Sequence, residues 1–242
     1  MNVYQPLAFA MAALLAASVQ AAGEPYDCLL EPHTVVNVGS PIDGVIDVVG
    51  VDRGDFVKKG QVVAKLQSGV EEAAVGLSRA RVEFARRKVE RNESLFQKQL
   101  ISAQEKDEMA TELKLHEQEL RKDEELLALR SIVSPLDGVV VERRLSRGDL
   151  IRADKSVVFK LAQIDPLNVE VIAPATLFGS VRVGMSGRVS VKPFFKETFS
   201  AQVTVVDRVI DAASGTLGVR LRMANPGNRI PAGVRCTVIF GK

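Results

Sequence analysis

The chain has 242 residues, 46% of them hydrophobic and 26% charged, with a formal net charge of +2. That length can bury a core of one or two domains, and the near balance of charge removes the electrostatic argument for nucleic-acid binding. Trp is absent and aromatics make up only 5% of the chain, so stacking platforms for bases or sugars have little to be built from.

Residues 1–22 read as a secretory signal peptide. The run PLAFAMAALLAASV (6–19) is apolar but short of the roughly 20 residues a membrane span needs, and Val19 and Ala21 are spaced as a cleavage site. The preceding MNVYQ carries no Lys or Arg. The mature protein is therefore expected to be soluble outside the cytoplasm. Cys28 and Cys236 lie near the two ends of that mature chain. In an oxidising compartment an even count favours a disulfide joining the first strand, in segment 23–38, to the last; two buried thiols are the alternative. PYD before Cys28 is no lipobox, so a lipoprotein anchor is not expected.

The stretch SPIDGVI (40–46) returns as SPLDGVV (134–140), and RGD follows each copy at the same distance, at 53–55 and 147–149. With one inserted residue near Lys155 the match extends to Val62, Val63, Lys65 and Leu66 against Val157, Val158, Lys160 and Leu161. Short β-branched runs punctuated by Pro, Asp-Gly and Arg-Gly-Asp are the pattern of tight turns between short strands, with Gly44, Gly54, Gly138 and Gly148 expected to supply positive φ. A half of about thirty residues cannot close a core alone, but two can as a small sandwich. The repeat thus predicts one domain from 39–67 and 131–163, with everything between leaving it and returning.

Residues 68–130 contain no proline, and their two glycines, Gly69 and Gly76, come early. Ser68 with Glu71 and Ser102 with Glu105 each read as a capping box opening a helix. Val75, Val82, Val89 and Phe96 recur every seven residues, as do Leu113, Leu120 and Leu127, so two helices should fold back as an antiparallel coiled coil. Asn92, His116 and Asp123 make the seam partly polar. Leu100 and Ile101 stand at the turn, where a plain connector prefers Gly, Asn or Asp; apolar residues at the end of a projecting rod suggest docking.

Beyond residue 164 the pattern changes to alternating strands at 167–173, 188–191, 201–206, 217–223 and 235–240, with a short helix between 175 and 181, which together suggest a small antiparallel β-barrel over 164–242. The fold class is mainly β with an α-helical insertion.

The half-motifs resemble those of biotinyl and lipoyl domains. Such carriers present a lysine between the halves; here KLQSGVEE puts Gly69 and Val70 near that place, and Lys65 falls within a strand, which disfavours a covalently carried cofactor. A lipoyl-like domain interrupted by a helical hairpin resembles the periplasmic adaptors, or membrane fusion proteins, of tripartite efflux pumps. In that family the hairpin tip carries Arg, Leu four residues on and Ser eleven residues after the Arg, matched here by Arg91, Leu95 and Ser102. The resemblance implies that these residues, with Leu100 and Ile101, engage an outer-membrane TolC-type channel. It also implies an inner-membrane exporter, RND-type ahead of ABC-type, and self-association into a trimer or hexamer ring. The stretches VGMSGRVSV and NRIPAGVRCTV resemble the family's barrel domain. Many members carry a further membrane-proximal domain built from both termini; with its last residue at Lys242, this chain is expected to be a minimal version.

Nothing in the sequence points to catalysis. His33 and His116 lie far apart without motif partners, acidic pairs such as Asp107 and Glu108 read as solvated helix surface, and five scattered methionines form no metal-handling cluster. No enzyme activity, cofactor or metal is expected.

Overall fold

A computed structural model describes residues 24–153 and 155–241, so the expected signal peptide lies outside the described residues. Two long strands form a spine common to both β bodies. Strand β1 (Tyr26–Val38) runs antiparallel to β8 (Phe159–Pro174), pairing from Cys28 opposite Val171 to Val38 opposite Phe159, with a register shift between Pro32 and Thr34. Pro32 has no amide hydrogen for the ladder, and the irregularity falls beside it.

Around the lower half of this spine the two repeats interlock. The first supplies β2 (Gly44–Val49), β3 (Phe56–Val57) and β4 (Val62–Leu66), the second β5 (Ser131–Val133), β6 (Gly138–Arg143) and β7 (Leu150–Ile151). Each half pairs with the other through its equivalent strand: β3 with β6, and β7 with β2. The Gly54 amide donates to the Val140 carbonyl at 2.8 Å, and the Gly148 amide to the Ile46 carbonyl at 2.8 Å. The Lys59 amide donates to Asp137 Oδ1 at 2.8 Å and the Ala153 amide to Asp43 Oδ1 at 2.6 Å. Within each half, Ser40 and Ser134 bond the carbonyls of Ile42 and Leu136, pinning the Ser-Pro turn. The core takes Ile46, Val57, Val63 and Leu66 from one half and Ile132, Val140, Ile151 and Leu161 from the other, so neither half can bury its apolar face alone.

The glycines of the repeat divide into two roles. Gly54 and Gly148, at φ +95° and +90°, make the left-handed turns expected of them. Gly44 and Gly138 are not in that region; they open β2 and β6, and at Gly138 the chain passes too close to its neighbours for a side chain. A Cβ on Gly138 would stand 2.4 Å from the Ala162 carbonyl oxygen.

From Leu66 the chain leaves the sandwich into α1 (Gly69–Gln97) and returns through α2 (Ala103–Ala128). The α1 stripe is buried at Val75, Val82 and Ala85, together with Ser78, whose hydroxyl donates to Asp123 Oδ2 across the seam. The Ser102 box forms: the Glu105 amide donates to Ser102 Oγ at 3.2 Å and the Ser102 amide to Glu105 Oε2 at 2.8 Å. The box expected at Ser68 does not. Ser68 Oγ donates instead to Glu72 Oε1 at 2.6 Å, because Glu71 is drawn away by the guanidinium of Arg130.

The upper spine closes a six-stranded antiparallel barrel. With β9 (Ser186–Ser190), β10 (Thr198–Val206), β11 (Thr216–Met223) and β12 (Arg235–Phe240), the order is β1-β12-β9-β10-β11-β8 and back to β1. Alternate residues fill it, among them Leu30, Val169, Val171, Val189, Val203, Leu221 and Val238. Asn225 is buried at the end nearer the hairpin; its Nδ2 donates to the carbonyls of Ile164 and Ile230, and its Oδ1 accepts from the Ile230 amide, each at 2.9 Å. The helix expected over 175–181 reduces to one 3-10 turn at Ala175–Leu177, cut short by Gly179 at φ +86°. Val191 falls just outside β9.

Candidate partner-binding hairpin

Ion pairs flank the narrow apolar seam of the hairpin. Arg79 reaches Glu124 at 3.2 Å, Arg81 reaches Glu119 at 2.9 Å, Arg86 reaches Glu117 at 3.1 Å and Lys88 reaches Glu112 at 2.7 Å. In all four the cation is on α1 and the anion on α2. Near the tip the sense reverses, Lys106 pairing with Glu93 at 3.0 Å while lying 4.3 Å from the Phe96 ring centre. Such exposed pairs contribute a few tenths of a kcal/mol each, so their main effect is to set which residues of the two helices stand level. The Lys88 ammonium holds the Glu112 carboxyl below its ordinary range. Of the polar seam residues, Asn92 turns back to donate to the Lys88 carbonyl at 2.7 Å, and His116 faces Glu119 at 3.5 Å.

The tip is a built turn. The Leu100 amide donates to the Leu95 carbonyl at 2.9 Å and the Gln99 amide to the Phe96 carbonyl at 2.8 Å, the pair of bonds that defines a Schellman cap. The left-handed position of that cap is Gln99, φ +58°, where glycine would ordinarily sit, at a cost on the order of 1 kcal/mol. The cap turns Leu100 outward, 67% exposed, while Ile101 and Leu95 are half-buried. Arg91 is exposed on the last turns of α1, and Ser102 spends its hydroxyl on capping α2. These five residues therefore sit within the last two turns of α1 and the connection, and the side chain of one, Ser102, has a structural task already.

At the hairpin's foot stands Arg130, which the sequence reading overlooked. Its Nη2 donates to Glu71 Oε1 at 2.6 Å and its Nη1 to the Asp43 carbonyl at 3.1 Å, while its own carbonyl accepts from the Leu66 amide at 2.8 Å. One side chain thus ties the start of α1, the end of α2 and the first Asp-Gly turn. The guanidinium beside it pulls the Glu71 carboxyl below its usual range. The one available signal was position, an arginine directly between the helical period and the second half-motif.

At the opposite end of the molecule, Cys28 and Cys236 are register partners on β1 and β12, with their sulfur atoms 2.07 Å apart. Lys65 lies on β4 and Lys160 on β8, neither at the point where β4 gives way to the hairpin. His33 approaches Asn168 at 3.4 Å. Among the described residues no helix is long and apolar enough to cross a membrane, and no group of three His, Cys, Asp or Glu is arranged to hold a metal.

Residues 34–163 match the family model of the CzcB-like, barrel-sandwich hybrid domain, and residues 167–242 match the CusB-like β-barrel domain. The chain is 25% identical over 214 residues to the multidrug resistance protein MdtA of Cronobacter turicensis, covering 78% of this chain and 51% of that one. It is 26% identical over 244 residues to the cobalt-zinc-cadmium resistance protein CzcB of Cupriavidus metallidurans, covering 93% and 46%. It therefore spans about half the length of these curated relatives. A crystal structure of a MacA-MexA chimera carrying the Pseudomonas aeruginosa MexA α-hairpin superposes with a TM-score of 0.72 at 19% identity, over 90% of this chain and 78% of that one, a likeness of fold. With the split sandwich, the inserted hairpin and the six-stranded barrel in that order, the chain belongs to the membrane fusion, or efflux adaptor, family.

Proposed function

We propose that this protein is a periplasmic adaptor that couples an inner-membrane exporter of the RND type to an outer-membrane channel of the TolC type, for efflux of drugs or other small molecules. The single observation behind this reading is the interlocked pair of half-repeats that projects a helical arm with a preset, apolar tip. Helix α1 alone has 29 residues, about 43 Å at 1.5 Å per residue, which gives the arm reach. A body whose halves complete one another cannot let the arm detach without unfolding, so force at the tip is transmitted to the spine and barrel. Adaptor work of this kind is mechanical, with copies assembled in a trimer or hexamer ring around a conduit and no bond made or broken.

The tip residue most exposed for contact is Leu100, supported by Arg91, Leu95 and Ile101 around the turn. The test is Leu100→Asp, with circular dichroism to show that the helices persist. Expected are loss of in-cell cross-linking between tip and outer-membrane channel and a fall of at least fourfold in tolerated drug concentration. Retention of both with the variant would refute tip docking.

A further inference from the structure

A cleft of about 530 Å³ lies where the sandwich meets the barrel. From the sandwich it is lined by Phe56, Lys58 and Asp137, and from the spine and barrel by Gln163, Asp165 and Asn228. Phe56, on β3 opposite Val139 of β6, is 57% exposed, an aromatic ring facing water inside a concavity that a ligand could fill. The polar groups around it are mostly acceptors, and several are already fixed in place. Asp137 Oδ1 accepts from the Lys59 amide at 2.8 Å and Asp165 Oδ1 from the Asn225 amide at 2.9 Å. Each carboxylate is thus held by one oxygen while the other bonds to nothing among the described residues. Gln163 Nε2 donates to the Asp165 carbonyl at 3.1 Å, which leaves Gln163 Oε1 as a further acceptor. Asn228 is half-buried with its backbone left-handed at φ +54°, and its side-chain amide has no partner among the described residues.

The duplicated sequence indicates what such a place accepts. Asp43 and Asp137 are equivalent in the two half-repeats, as are Leu150 and Phe56. Strand β7, carrying Leu150, pairs with β2 beside Asp43 just as β3, carrying Phe56, pairs with β6 beside Asp137. At the Asp43 turn the chain supplies its own cation, Arg130 Nη1 donating to the Asp43 carbonyl at 3.1 Å. The Asp137 carbonyl accepts from no described residue. We infer that the cleft binds an organic cation, its positive nitrogen toward the carboxylates of Asp137 and Asp165 and its apolar ring against Phe56. The lining sets two carboxylates against one ammonium, that of Lys58. Lys58 is exposed, forms no ion pair among the described residues, and can turn to solvent on its long stem. Charge-assisted bonds to a fixed carboxylate and contact with the face of a Phe ring both favour positive charge, and the volume admits a molecule of drug size. Because sandwich and barrel both line the cleft, one bound molecule touches both bodies. The site lies away from the hairpin and requires neither exporter nor channel.

The experiment uses the full chain and ethidium, a flat aromatic cation, followed by fluorescence anisotropy, with anilinonaphthalenesulfonate as an aromatic anion for comparison. Saturable ethidium binding is expected, weakened about tenfold or more by Phe56→Ala. Asp137→Asn with Asp165→Asn keeps the oxygens that accept from the Lys59 and Asn225 amides and removes the charge; it should weaken binding about fivefold or more. Leu150→Ala, the equivalent truncation in the other half-repeat, should leave the dissociation constant within about twofold, and circular dichroism should be unaltered in every variant. Absence of saturable binding, indifference to Phe56→Ala or to the paired asparagines, an equal loss with Leu150→Ala, or tighter binding of the anion would each overturn the assignment. Loss or retention of channel cross-linking with Leu100→Asp bears on the efflux reading and not on this measurement, so the two fail separately.

Discussion

Gly44 and Gly138 occupy the same position in the two half-repeats, yet alanine at each should have different consequences. At Gly138 the new Cβ would lie 2.4 Å from the Ala162 oxygen, 2.8 Å from Leu136 Cδ1 and 2.9 Å from the Ala162 carbonyl carbon. Two of the three are backbone of β8, paired there with β6 through Val139 opposite Ala162, so relief requires the spine to move by most of an ångström. Overpacking of this sort costs about 1–3 kcal/mol, and a rigid central strand puts this site toward the upper part of that range. At Gly44 the Cβ would meet Arg130 Nη1 and Leu66 Cδ1, each at 3.0 Å, and Leu66 Cβ at 3.5 Å, all of them side-chain atoms. Alanine also reduces unfolded-state entropy by about 0.4–1 kcal/mol, which offsets mild crowding. Urea denaturation at constant slope should therefore place Gly138→Ala about 2 kcal/mol below the parent and Gly44→Ala within about 1 kcal/mol of it. Equal losses at the two sites would refute the assignment of Gly138 to close approach of β8.

The disulfide closes a loop of sequence separation 208, for which the chain-entropy relation gives about 5 kcal/mol at 25 °C. Cys28→Ala with Cys236→Ala, compared with the oxidised parent by urea denaturation, should lose most of that, and a loss under about 1 kcal/mol would show that the closed barrel holds β1 without the bridge. Glu71 has a folded-state pKa below its unfolded value near 4.5, so its contribution is fully present above that pH and is lost as pH falls through the lower folded value. Arg130→Met should cost about 1–3 kcal/mol at pH 7 and flatten the acid limb of stability below pH 4.5; an unchanged acid limb would mean that the Arg130–Glu71 contact holds nothing.

Most of the architecture is legible in the sequence because its signals are local. The Ser-Pro and Asp-Gly turns, the Arg-Gly-Asp corners and the heptad leucines each act within a few residues, and their duplication across some sixty residues told of two halves sharing one interior. The strand at 235–240 and the Ser102 capping box belong to the same class. What failed were judgements on residues whose partners come from elsewhere. Glu71 reads as the second member of a capping box until Arg130, 59 residues on, offers a stronger bond. Gly138 reads as a turn until β8 is laid against it. That one strand, β8, runs through the boundary at 163–164 and serves both bodies is likewise not written in any local pattern.

The amino-acid sequence by itself determined that two β fragments must find each other and that the helices between them must leave as a hairpin, since period and turn chemistry are written residue by residue. Tertiary structure alone decided which residues of that frame meet partners distant in the chain, Glu71 with Arg130 and Gly138 with Ala162, because a contact between residues far apart in sequence leaves no local period to read.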